Sequence, residues 1–130
     1  MSDPASPFAN PTRTNEDGIL GIGGQLSVPW LRDAYAHGVF PWPMEGIPLA
    51  WFCPLERGVL FFEKIHLPTS LRKWLRKQTY RVSFDEAFDQ VIAECAKAKR
   101  PGQRGTWITK AMVAAYREFH LAGDAHSVEV

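Results

Sequence analysis

The stretch GVFPWPMEGIPLAWFCP, from Gly38 to Pro54, sets four prolines and four aromatics around a single charge, Glu45. Proline fixes φ and withholds its N–H, so at this density neither a helix nor an interior strand is expected to run through. An ordered loop is expected instead, with its rings held in place by the neighbouring prolines. Two roles stay open for Trp42 and Trp51. They are core packing, or they form a preorganised apolar surface that stacks a nucleobase or walls a pocket.

At 130 residues, the chain suits one domain of ordinary size or two small ones. It has 45% apolar and 22% charged residues, a globular composition that can bury a core. Its two cysteines, Cys53 and Cys95, form no CxxC or Cys/His cluster, so no metal site is expected and a reduced protein is the simpler reading. Residues 1–17 are polar, with Pro4, Pro7 and Pro11, and read as a flexible arm without the basic start and apolar run of a signal peptide. No apolar run reaches the roughly 18 residues of a membrane span.

Net charge is only +1, but it is unevenly spread. Residues 1–63 carry three basic and seven acidic residues, and residues 82–130 carry six and seven. Residues 64–81 carry six basic and none acidic: Lys64, Arg72, Lys73, Arg76, Lys77 and Arg81. On a helix from Ser70 to Lys77, spacing by three and four puts Arg72, Lys73, Arg76 and Lys77 on one side and Leu71, Trp74 and Leu75 on the other. The basic side reads as a solvated face or, lacking acidic partners, as a phosphate surface. Lys97, Lys99, Arg100 and Arg104 form a smaller cluster.

GILGIGG (18–24) reads as a tight apolar turn; it lacks the Gly-Lys-Ser/Thr ending of a phosphate loop. Ser27, Pro29 and Gly38 frame a short helix with Leu31, Ala34 and Tyr35 inward. GVLFF (58–62) and YRVSF (80–84) are strand candidates. SFDE has capping-box spacing, Ser83 to Glu86, ahead of a helix with Phe88, Val91, Ile92 and Cys95 on one face. Thr109 caps a further helix, with Met112, Val113, Tyr116 and Phe119 on one face and Gly123 as its stop. AHSVEV alternates like a strand, with His126, Val128 and Val130 opposite Ser127 and Glu129. The expected fold class is α+β, and two strands are a thin sheet for two amphipathic helices to cover.

Nucleophilic catalysis has little support: there is no GxSxG, and neither cysteine has a histidine near it in sequence. His126 is the histidine with the most polar neighbours, although adjacent residues of a strand face opposite ways. Trp107, in GTWITK, stands just before a capped helix start, where free N–H groups and a large ring meet. It reads equally as a core lid.

Taken together, these segments resemble the leucyl/phenylalanyl-tRNA–protein transferase family over residues 17–130. GILGIGGQLSVPWLRDAYAHGVFPWP is similar to its Gly-Leu-(x)3-Gly-Gly-x-Leu … Ala-Tyr-x-x-Gly-Ile-Phe-Pro-Trp signature. WFCPLERGVLFFEKIHLPTSLRKWLRK resembles its Trp-x-Ser-Pro-x-x-Arg-x-x-Leu stretch, His-containing connector and basic helix. YRVSFDEAFDQVIAECA and GTWITKAMVAAYREFHLAGDAHSVEV continue the likeness.

The resemblance implies a small N-terminal domain (18–63), then a basic helix and the first part of an acetyltransferase-like (GNAT) domain (64–130), its sheet incomplete. It implies a cytoplasmic aminoacyltransferase that moves Leu or Phe from charged tRNA to a protein with N-terminal Lys or Arg, marking that protein for degradation. Phe40, Trp42 and Trp107 would wall the aminoacyl pocket, with Tyr35 and Tyr116 beside them. Lys64, Arg72, Lys73, Arg76 and Lys77 would meet the tRNA. The reaction is aminolysis of an activated ester, so neither cofactor nor metal is implied, and neither membrane nor DNA is a partner. The family's Gly-Glu-Ser-Met-Phe segment and Asp-x-Gln pair, linked to forming the peptide bond, fall beyond Val130, so the catalytic residues are not assigned here. Alternatives are a fragment that only binds aminoacyl-tRNA, one completed by a second chain, and a general RNA-binding module.

Overall fold

The computed structural model describes residues 6–102 and 105–130. Among these residues the chain is α+β, with two small antiparallel sheets and four helices.

The first sheet comprises β1 (Ile19–Ile22), β2 (Phe40–Trp42) and β3 (Ala50–Phe52), in the order β1-β3-β2. Two expectations change here. GILGIGG is not only a turn: Ile19–Ile22 pairs with β3, with an irregular register between Ile19 and Gly21. The turn proper is Gly23–Gly24. Gly24 has φ +81°, and a Cβ there would lie 2.3 Å from the Trp30 ring, so no side chain fits. The aromatic–proline segment, expected as a loop, contributes two strands. Pro41 is tolerated because β2 is an edge strand, whereas the central β3 holds no proline.

Helix α1 (Val28–Ala36) follows Ser27, whose backbone is extended as an N-cap requires although its hydroxyl makes no cap bond. Gly38, at φ +72°, turns the chain out of α1 into β2. Leu31 and Ala34 are buried, as the helical period requires, while Tyr35 is partly exposed.

The core lies between this sheet, α1 and α4 (Lys110–Leu121), and is built on Leu31, Val39, Trp51 and Phe119. Phe8 joins it at 3% exposure, packed on Trp30 and Trp51 with centroids 5.6 and 5.0 Å away. The expected flexible arm is therefore docked over its described part. Ser6 Oγ donates to Asp33 at 2.7 Å, and Pro11–Arg13 forms one 3-10 turn. An aromatic side chain placed where it can bury most of its surface outweighs the loosening effect of the nearby prolines.

Helix α3 (Phe88–Lys97) lies along α4, joined by two bonds from Arg117 to Asp89 of 2.7 and 2.8 Å. Thr109 caps α4, its Oγ1 accepting from Met112 N at 3.2 Å, and Gly123 ends it at φ +82°. The second sheet pairs β4 (Ser83–Phe84) with β5 (Val128–Glu129). The expected capping box is not formed. Ser83 Oγ donates to Glu129 at 2.8 Å, and Glu129, from the neighbouring strand, accepts the Ala87 N–H at 3.3 Å ahead of α3. Phe84, Val128 and Val130 stay exposed.

GVLFF does not form a strand. Residues 58–61 are irregular and lead into a 3-10 turn, Phe62–Lys64. Helix α2 (Thr69–Arg76) then forms as its spacing predicts, but every residue from Leu55 to Val82 is exposed. No helix among the described residues is long and apolar enough to cross a membrane.

Candidate functional site

The end of β2 and the approach to α4 meet in an aromatic file. Phe40 lies at one end, 6.2 Å from Phe52 with planes 21° apart. Trp42 stands 6.4 Å from Phe40 at 72°, edge to face. Trp107 lies parallel on Trp42, with centroids 4.9 Å apart and planes 15° apart. Strand alternation explains the first pair: Phe40 and Trp42 point to the same side, and Pro41 between them is buried. The Thr109 cap and the short bond from Thr109 N to Trp107 O, 3.1 Å, fix the approach of Trp107. Trp42 keeps 37% of its surface exposed and Trp107 is half-buried, so the file opens to solvent.

Tyr35 and Tyr116 form a second group. Their hydroxyls share a hydrogen bond, their rings meet edge to face at 6.4 Å, and Tyr35 stacks on Phe119 at 5.9 Å. Burial and then the bond with Tyr35 push the Tyr116 phenol well above its ordinary pKa, so it remains protonated. The pair lines a cavity of about 510 Å³ whose walls include Val91, Ile92, Ile108 and His126. Phe40, Trp42 and Trp107 do not line it. The five expected aromatic positions thus fall into two groups, bridged in sequence by Ile108, the neighbour of Trp107.

The polar residues at the β4–β5 end form a network. His126 Nδ1 meets Asp85 Oδ2 at 2.7 Å, and Asp85 Oδ1 accepts from Ser127 N at 2.8 Å. The bond to His126, then that from Ser127, holds the Asp85 carboxyl below its ordinary range, and the same carboxylate raises His126. Ser127 Oγ donates to Glu129 at 2.6 Å rather than to His126, so no serine–histidine nucleophile is assembled. The Ser127 bond is also the main cause that lowers the Glu129 pKa.

Of the basic residues, Arg72, Lys73, Arg76 and Lys77 project from exposed α2 and make no ion pair among the described residues. Lys64 ends the 3-10 turn ahead of α2, its Nζ 5.0 Å from the Phe61 ring centre. Arg81 pairs with Glu86, and Lys97 with Glu94 at 3.1 Å. Arg104 lies outside the described residues. Cys53 is buried and Cys95 exposed, and neither forms a disulfide.

Sequence reasoning missed Arg57, whose guanidinium lies over Phe40 with Cζ 5.5 Å from the ring centre. A signal was present: Arg57 fills the arginine position of the Trp-x-Ser-Pro-x-x-Arg-x-x-Leu stretch, three residues past the aromatic–proline segment.

A family model described as leucyl/phenylalanyl-tRNA protein transferase matches residues 59–130, and one for the N-terminal domain of that transferase matches residues 24–55. The leucyl/phenylalanyl-tRNA–protein transferase of Xanthomonas campestris pv. campestris (strain 8004) is 51% identical over 131 residues, 99% of this chain and 53% of that protein. Those of Oleidesulfovibrio alaskensis and Myxococcus xanthus are 47% and 48% identical, over 95% and 94% of this chain and 50% and 52% of theirs. The chain spans about half the length of the curated relatives it matches. With both family models covering the aromatic file, α2, α3 and α4, the chain belongs to the leucyl/phenylalanyl-tRNA–protein transferase family.

Proposed function

We propose that this chain carries the donor-binding share of a leucyl/phenylalanyl transfer reaction in the cytoplasm. Leu or Phe leaves its tRNA and joins a protein that begins with Lys or Arg, marking it for degradation. The single observation that carries this reading is the Trp42–Trp107 stack at 4.9 Å, an open aromatic surface made from two distant parts of the chain. Such a surface suits the 3′ end of a charged tRNA, where a base and an apolar side chain lie side by side. Phe40 extends the wall. Tyr35 and Tyr116 border the adjoining cavity, which is apolar apart from their hydroxyls and the Asp124–Ser127 segment. The cations of α2 suit the phosphates of the same RNA.

In the reaction, the amine nitrogen of the acceptor attacks the ester carbonyl of the aminoacyl-tRNA. A C–N bond forms, the C–O bond to the ribose breaks, and the amine proton passes to the released ribose oxygen. The ester is already activated, so the contribution of these residues is placement of the carbonyl rather than activation. The order β4, α3, α4, β5, with β4 and β5 paired, supports reading residues 64–130 as the first part of an acetyltransferase-like domain.

The test is transfer of labelled Phe or Leu from charged tRNA to a peptide beginning with Arg, run beside charged-tRNA binding. Binding that prefers the charged over the uncharged 3′ end is the expected result. Transfer above background would place the peptide-bond chemistry within these residues too. A folded chain that binds both RNAs equally overturns the donor-site reading.

A further inference from the structure

Arg57 ties together the two ends of the segment that carries the aromatic wall. Its Nη2 donates to the Gly38 carbonyl at 2.5 Å, where the segment opens. Its Nε donates to the Pro54 carbonyl at 3.1 Å, and Nη2 also reaches Cys53 Sγ at 3.4 Å, where the segment closes. Gly38 lies just past the C-terminus of α1, where carbonyls lack intrahelical donors, so the guanidinium satisfies an acceptor that would otherwise need water. The same planar cation lies over Phe40, 5.5 Å from its centre. No carboxylate pairs with it among the described residues.

The donors that meet Gly38, Cys53 and Pro54 are on one edge of the guanidinium, and its Cζ lies over the Phe40 ring. Arg57 stays exposed, yet its donors and its charge are turned to the protein. Phe40 in turn touches Trp42, and Trp42 carries Trp107. These contacts form a continuous path from Arg57 to Trp107.

We propose that Arg57 is a positioning residue of the donor site: by clamping Gly38 to Cys53–Pro54 against Phe40, it sets the preference for an aminoacylated over a bare RNA 3′ end. This rests on the donor-binding reading above. Arg57 acts through Phe40 and not on phosphate, so its removal changes the preference and leaves the salt dependence of binding alone.

The experiment compares wild type, Arg57→Gln and Arg57→Lys. Each is titrated with Phe-tRNA and uncharged tRNA at several salt concentrations. Amide exchange of Val39, Phe40 and Trp42 is followed without RNA. Arg57→Gln is expected to lower the charged-end preference about fivefold, with an unchanged salt slope and faster exchange in β2. Arg57→Lys restores part of the preference, because an ammonium keeps charge over Phe40 but lacks the planar fork. A folded Gln variant whose preference stays within about twofold of wild type overturns the assignment. A preference that disappears together with the salt slope also overturns it, in favour of direct phosphate contact. Should the Gln variant not fold, an undiminished preference in Arg57→Lys overturns it. A wild-type chain with no preference refutes the donor reading itself, an outcome distinct from all of these.

Discussion

Trp107 lies flat against Trp42, with ring centroids 4.9 Å apart and planes 15° apart. One tryptophan ends an edge strand of the first sheet, and the other precedes α4, which packs into the core under that same sheet. Each ring therefore covers one face of its partner, and a ligand must use a remaining face or part the two. The stack joins two regions that each matched a different part of the family description.

Trp42→Ala removes one member of that stack. Base–aromatic stacking contributes roughly 1–3 kcal/mol, so affinity for a charged 3′ end is expected to fall about 5- to 100-fold. The salt slope stays as in wild type, because no phosphate neighbour is removed. Because the rings touch, adding Trp107→Ala costs less than the sum of the two single effects. Equal affinity of a folded Trp42→Ala variant for Phe-tRNA, measured by fluorescence anisotropy, would remove Trp42 from the site.

Phe8 tests whether the N-terminal residues belong to the core. It is 3% exposed against Trp30 and Trp51. Replacing it by alanine leaves a cavity beside two indoles and should cost about 3 kcal/mol. Thermal unfolding is then expected roughly 10 °C lower. An unchanged midpoint would mean that the segment detaches at no cost, as its polar, proline-rich composition suggests.

The Asp85–His126 pair makes stability depend on pH. The Asp85 carboxyl is lowered from its ordinary 3.8, so its contribution is present above that pH and fades as pH falls through the folded value. His126 is raised from its ordinary 6.5, so its contribution is complete below that pH and fades as pH rises through the folded value. Both act together between about pH 4 and 6.5. Asp85→Asn removes the main cause of the His126 shift, and an NMR titration should show the imidazole returning towards its ordinary pKa. An unmoved titration would assign the shift to Asp124 and the Gly123 backbone instead.

The helices were legible in the sequence because their signals are local. Thr109 caps, Gly123 stops, and Met112 and Phe119 share a face, all within one segment. The strands were less legible because a strand is decided by its partner. Ile19–Ile22 is half glycine-rich turn in appearance, yet it pairs with the central strand. GVLFF has strand composition but no strand beside it. SFDE has the spacing of a capping box, but Ser83 is taken by Glu129, a residue no local window contains. The same limit applied to the site. The family likeness pointed to Phe40, Trp42 and Trp107 individually, while the stacking of the tryptophans depends on how the sheet meets α4, and Arg57 over Phe40 on how the chain after Pro54 returns to Gly38.

Helix α2 separates charge from packing most cleanly. Its cations lie on one side, Leu71, Trp74 and Leu75 lie on the other, and both sides face solvent. Arg72 and Arg76 have no carboxylate partner among the described residues, so neutralising both to glutamine should leave the unfolding midpoint nearly unchanged. If they meet phosphates, the slope of log affinity against log salt should become shallower by about 0.7–0.9 for each phosphate no longer neutralised. The charged-end preference should survive, because phosphates are present on charged and uncharged tRNA alike. Trp74→Ala is the matched control: it changes the opposite side and should leave the slope as it was. A double variant with the wild-type slope would take α2 out of the RNA interface. A slope altered by Trp74→Ala as well would mean that the helix must be ordered by its apolar side before its cations can act.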